Sequence, residues 1–299
     1  MSAIPGTPQV AYRAPKLRHP VAQFLAQQPL GAAGLGVIVL MILAALGARW
    51  VAPYDPLTID YANLLAAPSW EHWLGTDNFG RDVLSRVIYG AQTALSVGFL
   101  ASILGSTLGA VIGVSSAYFG GRIDMAVQRL MDVLLSFPII VLALAVVAIL
   151  GKNIVLGVDV NLVIAIGLPM VPKVARVVRA SALAIREMPY IDAARACGYS
   201  HGRIVLRHIV PNVVAPYLIM LTAFVAQAIL LEASLSFLGL GVTEPTPSWG
   251  LMLSGSAADF YLEAPWMIIF PGLAISLAVF AFNLFGDSLR DWLDPKITT

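Results

Sequence analysis

Residues 190–212 read Tyr-Ile-Asp-Ala-Ala-Arg-Ala-Cys-Gly-Tyr-Ser-His-Gly-Arg-Ile-Val-Leu-Arg-His-Ile-Val-Pro-Asn. The stretch closes the most basic interval of the chain and lies between two strongly apolar segments. Its spacing predicts a short helix, a glycine break and a second, basic helical start. Asp192 falls near the helix N-terminus, where a carboxylate is favoured, and Ala193, Ala194 and Ala196 are good helix formers. Gly198 then ends the helix from the position just past its cap. Small side chains at Ala193 and Ala194 make a narrow helix able to enter a groove on another protein, with arginines around it as ion-pair partners. The same spacing equally describes a solvated loop with one helical turn.

Outward from this stretch the chain is apolar. Hydrophobic residues make up 59% of it and charged residues 12%, against roughly a quarter charged in soluble domains. Its 299 residues leave room for about six spanning helices with modest loops, so the expected class is an all-α, polytopic membrane protein. A net charge of +1 gives no reason to expect nucleic acid as a partner. One cysteine, Cys197, excludes an intrachain disulfide and a cysteine-rich metal site. Arg13, Lys16 and Arg18 imitate the start of a signal peptide. However, the apolar run 30–48 is too long for one and is followed by Arg49-Trp50 rather than small residues, so it reads as a retained first span.

The spans are expected at about 30–51, 91–117, 130–150, 160–171, 213–231 and 266–285. Between the first two, a polar segment holds Trp70, His72 and Trp73, then a glycine turn at 74–77. Val83, Leu84, Val87 and Ile88 follow on one face of what reads as a short interfacial helix, with Asp82, Ser85 and Arg86 on the other. Gly105, Gly109 and Gly113 form one stripe on the second span, which lets a neighbouring helix approach closely. Asp132 lies near one end of the third span, interfacial or paired, and Pro138 lies inside it. Pro169 and Pro172 interrupt the fourth, and Lys173, Arg176 and Arg179 mark its end at a water interface. The chain therefore divides into an N-terminal segment (1–29), a first span (30–52), a loop with an interfacial helix (53–90), a membrane core (91–289) and a tail (290–299).

With six spans, all but four of the 18 Lys and Arg residues fall on the side shared by both termini and the 190–212 stretch. The exceptions are Arg49, Arg81, Arg86 and Lys152. Cations gather on the cytoplasmic side, so both termini and that stretch are expected to face the cytoplasm. The chain lacks a phosphate-binding Gly-x4-Gly-Lys-Ser/Thr sequence; Gly151-Lys152-Asn153 is the nearest fragment. None of His19, His72, His201 and His208 forms a His-Glu-x-x-His motif, and Ser254 and Ser256 have no base paired with them in sequence. No catalytic residue, metal ligand or cofactor site is expected. A carrier driven by an ion gradient is the alternative, and it would show ionisable residues deep in its spans. Asp132 and Glu232 are the candidates, both near span ends.

The 190–212 stretch resembles the cytoplasmic signature loop of binding-protein-dependent ABC importer permeases. Their pattern is Glu-Ala-Ala, three residues, Gly, a longer gap and an Ile-x-Leu-Pro ending, and Asp192, Ala193, Ala194, Gly198 and Pro211 stand at those positions. Further segments are similar to the dipeptide and oligopeptide branch, which also includes nickel permeases: 74–86, Leu-Ser-Phe-Pro at 135–138, 236–241 with 245–249, and the ending 286–295. The resemblance implies a transport subunit rather than an enzyme, in an inner membrane. It implies a second homologous permease subunit, two cytoplasmic ATP-binding subunits and an extracytoplasmic solute-binding protein as partners. It also implies that 192–198 forms a coupling helix, with Tyr190, Asp192, Ala193, Ala194, Arg195, Gly198 and Arg203 facing an ATPase. Trp73, Asp77, Arg81 and Trp249 are the expected docking residues for the binding protein. Dipeptides, longer peptides, glutathione-like peptides and chelated nickel all remain open as substrates.

Overall fold

The computed structural model describes residues 20–293. Arg13, Lys16, Arg18, His19 and Lys296 lie outside the described residues. Helix α1 (Pro20–Gln27) and helix α2 (Pro29–Leu46) each begin with a proline, a residue whose missing N–H costs nothing in a first helical turn. A short α3 (Ala48–Val51) leads into the polar loop. Helix α4 (Val83–Phe119) follows, capped by Asp82, whose carboxylate accepts from the Ser85 amide at 2.8 Å and the Ser85 hydroxyl at 2.7 Å. The expected interfacial helix is therefore the first two turns of a 37-residue helix. With Ser85 and Arg86 buried against loop residues, the polar face that suggested a membrane surface is covered by protein instead.

Helices α5 (Gly121–Leu135) and α6 (Ile139–Leu150) are bent 93° apart. Pro138 lacks an N–H and disfavours helical backbone in the residue before it, so the third span, expected at about 130–150 with Pro138 inside it, is broken there. A two-stranded hairpin, β1 (Ile154–Val155) and β2 (Val158–Asp159), then reverses the chain. Helix α7 (Val160–Gly167), a 3-10 turn (Leu168–Met170) and α8 (Val171–Arg186) run on as one span of 27 residues. Here the prolines do not interrupt: each sits in the first turn of its own segment, where its missing donor is not needed. Lys173, Arg176 and Arg179 accordingly lie within α8 rather than at its end.

Helix α9 (Pro189–Ala196), helix α10 (His201–Ile204), a π-turn (Val205–Ile209) and α11 (Val210–Phe237) complete the central part. Two short helices, α12 (Trp249–Met252) and α13 (Ser256–Asp259), precede α14 (Trp266–Leu293). Five of these helices or helix runs are long and apolar enough to span a membrane, and the bent α5–α6 pair supplies a sixth.

Glycine contacts fix the relative directions. A Cβ on Gly109 would lie 2.7 Å from the Val171 carbonyl, and one on Gly113 would lie 3.1 Å from the Arg179 amide. Gly105 meets Gly167 in the same way, so α4 and α7–α8 descend side by side in parallel. That requires α5–α6 to return the chain to the other end of the bundle. Helix α11 ascends against α4, with the Ser102 hydroxyl donating to the Leu221 carbonyl at 2.8 Å. Helix α14 descends beside α2, and Phe24 meets Phe285 and Trp292 edge-on. Six passages place the described termini at one end of the bundle.

Candidate functional site

The end of the bundle that carries the termini also carries α9. Met188 has extended backbone and Pro189 is the first helical residue, which fixes where the helix starts. At the other end Gly198 has φ +76°. Its amide donates to the Arg195 carbonyl at 2.9 Å, and the Tyr199 amide donates to the Ala194 carbonyl at 3.1 Å. This pair of bonds closes the helix as a Schellman cap. A Cβ on Gly198 would meet nothing, so the glycine is there for its backbone and not for space.

Ile191 and Ala194 are buried in the same core as Val178, Ala182, Ile204 and Ile209. Tyr190, Asp192, Ala193, Arg195 and Gly198 are exposed. The helix is thus held by one face and presents the other. Arg195 donates to Asp192 at 2.8 Å, an exposed pair of modest strength. Arg203 stacks its guanidinium 4.1 Å above the Tyr199 ring, and the His208 ring lies between Tyr190 and Tyr199. The sequence-level residues Tyr190, Asp192, Ala193, Arg195, Gly198 and Arg203 therefore come together on one protruding corner; Ala194 faces inward.

Both sides of that corner are tied to the last turn of α4. Arg186, at the end of α8, donates to the Ala117 carbonyl at 2.8 Å. His201, at the start of α10, shares a 2.7 Å hydrogen bond with the Tyr118 hydroxyl. Nearby, Arg179 pairs with Asp124 and Arg176 with Asp132, so the acid of the third span is paired. None of these contacts was legible from local spacing, because each joins residues more than 40 positions apart. Among the described residues no cluster of His, Cys, Asp and Glu fits a metal ion.

The opposite end is built from the loop 52–82 and the segment 238–265. Asp77 accepts from the Phe79 amide at 2.8 Å, the Arg81 amide at 2.9 Å and Arg81 Nε at 2.6 Å. Arg81 Nη1 donates to Glu244 at 2.8 Å, and Arg86 Nη1 donates to the Pro56 carbonyl at 3.2 Å. Burial disfavours the Arg81 cation, but hydrogen bonds to Glu244 and the nearby Asp77 carboxylate outweigh it and hold the guanidinium above the usual arginine range. Trp266 Nε1 donates to the Thr76 carbonyl at 2.9 Å, pinning this loop to the start of α14.

Two expectations for this end are corrected. Trp249 is 1% exposed, packs on Gly90 and donates its indole N–H to the Val87 carbonyl at 2.9 Å; it is a packing anchor and offers no surface for docking. Asp77 and Arg81 are likewise buried, because they pair with each other. Trp73, at 67% exposed, and its neighbour Trp70 remain at the surface. Glu232, expected near the end of a span, is wholly buried and accepts from the Ser236 and Ser248 hydroxyls, both at 2.8 Å. It ties α11 to the start of α12.

The family model described as the binding-protein-dependent transport system inner membrane component matches residues 105–299. A second, the N-terminal transmembrane domain of oligopeptide transport permease C, matches residues 21–68. The glutathione transport system permease protein GsiD of Escherichia coli O6:K15:H31 is 45% identical over 261 residues, 87% of this chain and 84% of that protein. A Brucella suis biovar 1 protein provisionally named a peptide transport system permease is 44% identical over 264 residues, 88% of this chain and 87% of the other. Among solved structures, an inward-facing form of the MetNI methionine ABC transporter has a TM-score of 0.49 at 17% identity, over 69% of this chain and 97% of that one.

Proposed function

The chain belongs to the family of binding-protein-dependent transport system inner membrane components, and from that premise we propose that it carries peptides inward, driven by ATPase subunits that grip α9. The family makes it a multi-pass inner-membrane permease of an ATP-binding-cassette importer, a transport subunit rather than an enzyme. An ion-gradient carrier is not favoured. Asp132 is paired with Arg176, and Glu232 is wholly buried and ties α11 to α12 through two serine hydroxyls on Oε1, so the two acids have structural partners rather than forming a chain of relay groups.

One observation carries the coupling assignment: α9 is a short helix, opened by Pro189 and closed by a Schellman cap, whose buried face joins the core and whose flanks both grip the last turn of α4. In this reading Asp192, Ala193 and Arg195 enter a groove on an ATP-binding subunit, with Tyr190, Gly198 and Arg203 at its edge. Closure of the ATPase pair then displaces α9, and α4, α8 and α11 move with it between two arrangements of the bundle. The assembly has a second permease subunit, two such ATPases and an extracytoplasmic solute-binding protein. The positive-inside rule orients it with both termini and α9 in the cytoplasm. The segments 1–29 and 290–299 are then cytoplasmic, 30–52 is the first span, and the core begins where α4 begins rather than at residue 91. On the far side, Trp73 belongs to the surface that meets the binding protein.

The substrate class rests on the names of the similar permeases, which are for glutathione and for peptides. In a Cys197→Ser background, Ala193→Cys should crosslink to an ATP-binding subunit in the purified complex. Absence of that crosslink, with the ATPase present, would overturn the coupling role of α9. Ligands retained by the cognate binding protein would identify the substrate, and a set without peptides would overturn the peptide reading.

A further inference from the structure

Between residues 77–86 and 251–255, with Glu244 at its edge and at the end opposite α9, lies a cavity of about 220 Å³. Two guanidiniums form its charged side. Arg86 is 2% and Arg81 7% exposed. Asp77 is their fixed counter-ion, at 2.6 Å from Arg81 Nε and 3.7 Å from Arg86 Nε. The second carboxylate is Glu244, which takes Arg81 Nη1 at 2.8 Å and Nη2 at 3.3 Å, with Arg86 Nη2 at 3.5 Å. Its side chain is 49% exposed, so a buried pair of cations is neutralised partly from outside. The rest of the wall is mainly apolar, with Phe79, Val83, Leu251, Met252 and Met267, and carries Asn78 and Ser254 as its uncharged polar members.

We propose that Arg81 and Arg86 form a carboxylate-binding site in which Glu244 is the resident occupant, and that its ligand is the free C-terminal carboxylate of a short peptide. A guanidinium fork matches a carboxylate bidentately, and the geometry of Glu244 on Arg81 is that fork. Without Glu244 the two arginines face Asp77 alone and retain one uncompensated positive charge. The volume falls below the roughly 300 Å³ at which pockets admit drug-sized ligands. It takes a single terminal residue, whose carboxylate meets the arginines while its side chain meets the methionine and leucine wall. An acidic side chain of a docking protein would bring the charge but would leave that wall unused. The assignment rests on the peptide reading above, and its test needs neither ATP nor transport.

The complex is placed in nanodiscs and titrated with N-acetyl-leucine and with N-acetyl-leucinamide by equilibrium dialysis. Because Glu244 competes for the site, Glu244→Gln should bind the acid about tenfold more tightly than wild type, the scale of one charge-assisted contact, and should ignore the amide. Adding Arg81→Gln to Glu244→Gln should remove the gain, with co-purification of the ATP-binding subunits confirming an intact assembly. Equal affinity of wild type and Glu244→Gln for the acid would overturn the proposal, as would equal affinity of Glu244→Gln for acid and amide. A gain seen only for the solute-binding protein would also overturn it, because it assigns the arginines to protein docking. ATP-driven uptake, measured separately, reports on the peptide-permease reading whichever way the titration falls.

Discussion

Gly198 shows how one residue can matter through backbone alone. It stands at φ +76° with open space around its Cα, and a side chain there costs about 1–2 kcal/mol from the left-handed conformation. Gly198→Val should open the Schellman cap and abolish ATP-driven uptake while leaving membrane insertion intact, whereas Gly198→Asn, which tolerates that conformation, should retain most uptake. Proteoliposome uptake beside membrane fractionation checks both. Trp249 and Trp73 make the contrasting pair. Trp249→Phe removes the indole donor from the Val87 carbonyl, which keeps its intrahelical bond, a loss of about 0.5–1.5 kcal/mol. It should lower the thermal midpoint in detergent without changing affinity for the solute-binding protein. Trp73→Ala should do the reverse, weakening that affinity at unchanged stability.

Among the elements, α4 and α8 depend on backbone approaching backbone. Gly109 faces the Val171 carbonyl and the Val174 Cβ, each 2.7 Å from where its own Cβ would stand, so neither helix can yield without sliding. Gly109→Val should cost about 1–3 kcal/mol by overpacking and reduce recovery of folded complex on size-exclusion chromatography. This stripe was legible in the sequence because three glycines at steps of four leave only one interpretation on a helix. The signature stretch was legible in part: the alanines and Gly198 are local signals for a local helix and its end, although the same spacing also described a loop, and the start at Pro189 was not read. What escaped reading was non-local. The polar face of Asp82, Ser85 and Arg86 suggested water, but His72, Tyr54 and Pro56 cover it from 10 to 31 positions away. Pro169 and Pro172 suggested a break, and first-turn placement made them harmless, while the single Pro138 made a true one. Trp249 was expected at a docking surface from the resemblance alone; the gap at Gly90 that receives it is on another element and left no local signal.

For the molecule as a whole, the direction in which it sits is testable with one native atom. Cys197 is exposed beside the cap of α9, so a membrane-impermeant maleimide should label it in inverted vesicles and spare it in right-side-out ones. In a Cys197→Ser background, Leu156→Cys at the fully exposed hairpin tip should give the opposite pattern. Labelling of both cysteines from one side would refute the six-pass arrangement. The length of α4 has a mechanical consequence. At 37 residues it measures about 55 Å, well beyond the roughly 30 Å of bilayer hydrocarbon. It is gripped beside α9 at Ala117 and Tyr118 and reaches the arginine cavity at Val83 and Arg86. Pivoted at its lower end, a rod of that reach tilting by about 5° sweeps its far tip through about 5 Å. A small tilt set at the α9 end is thus geared up at the end that holds the arginine cavity.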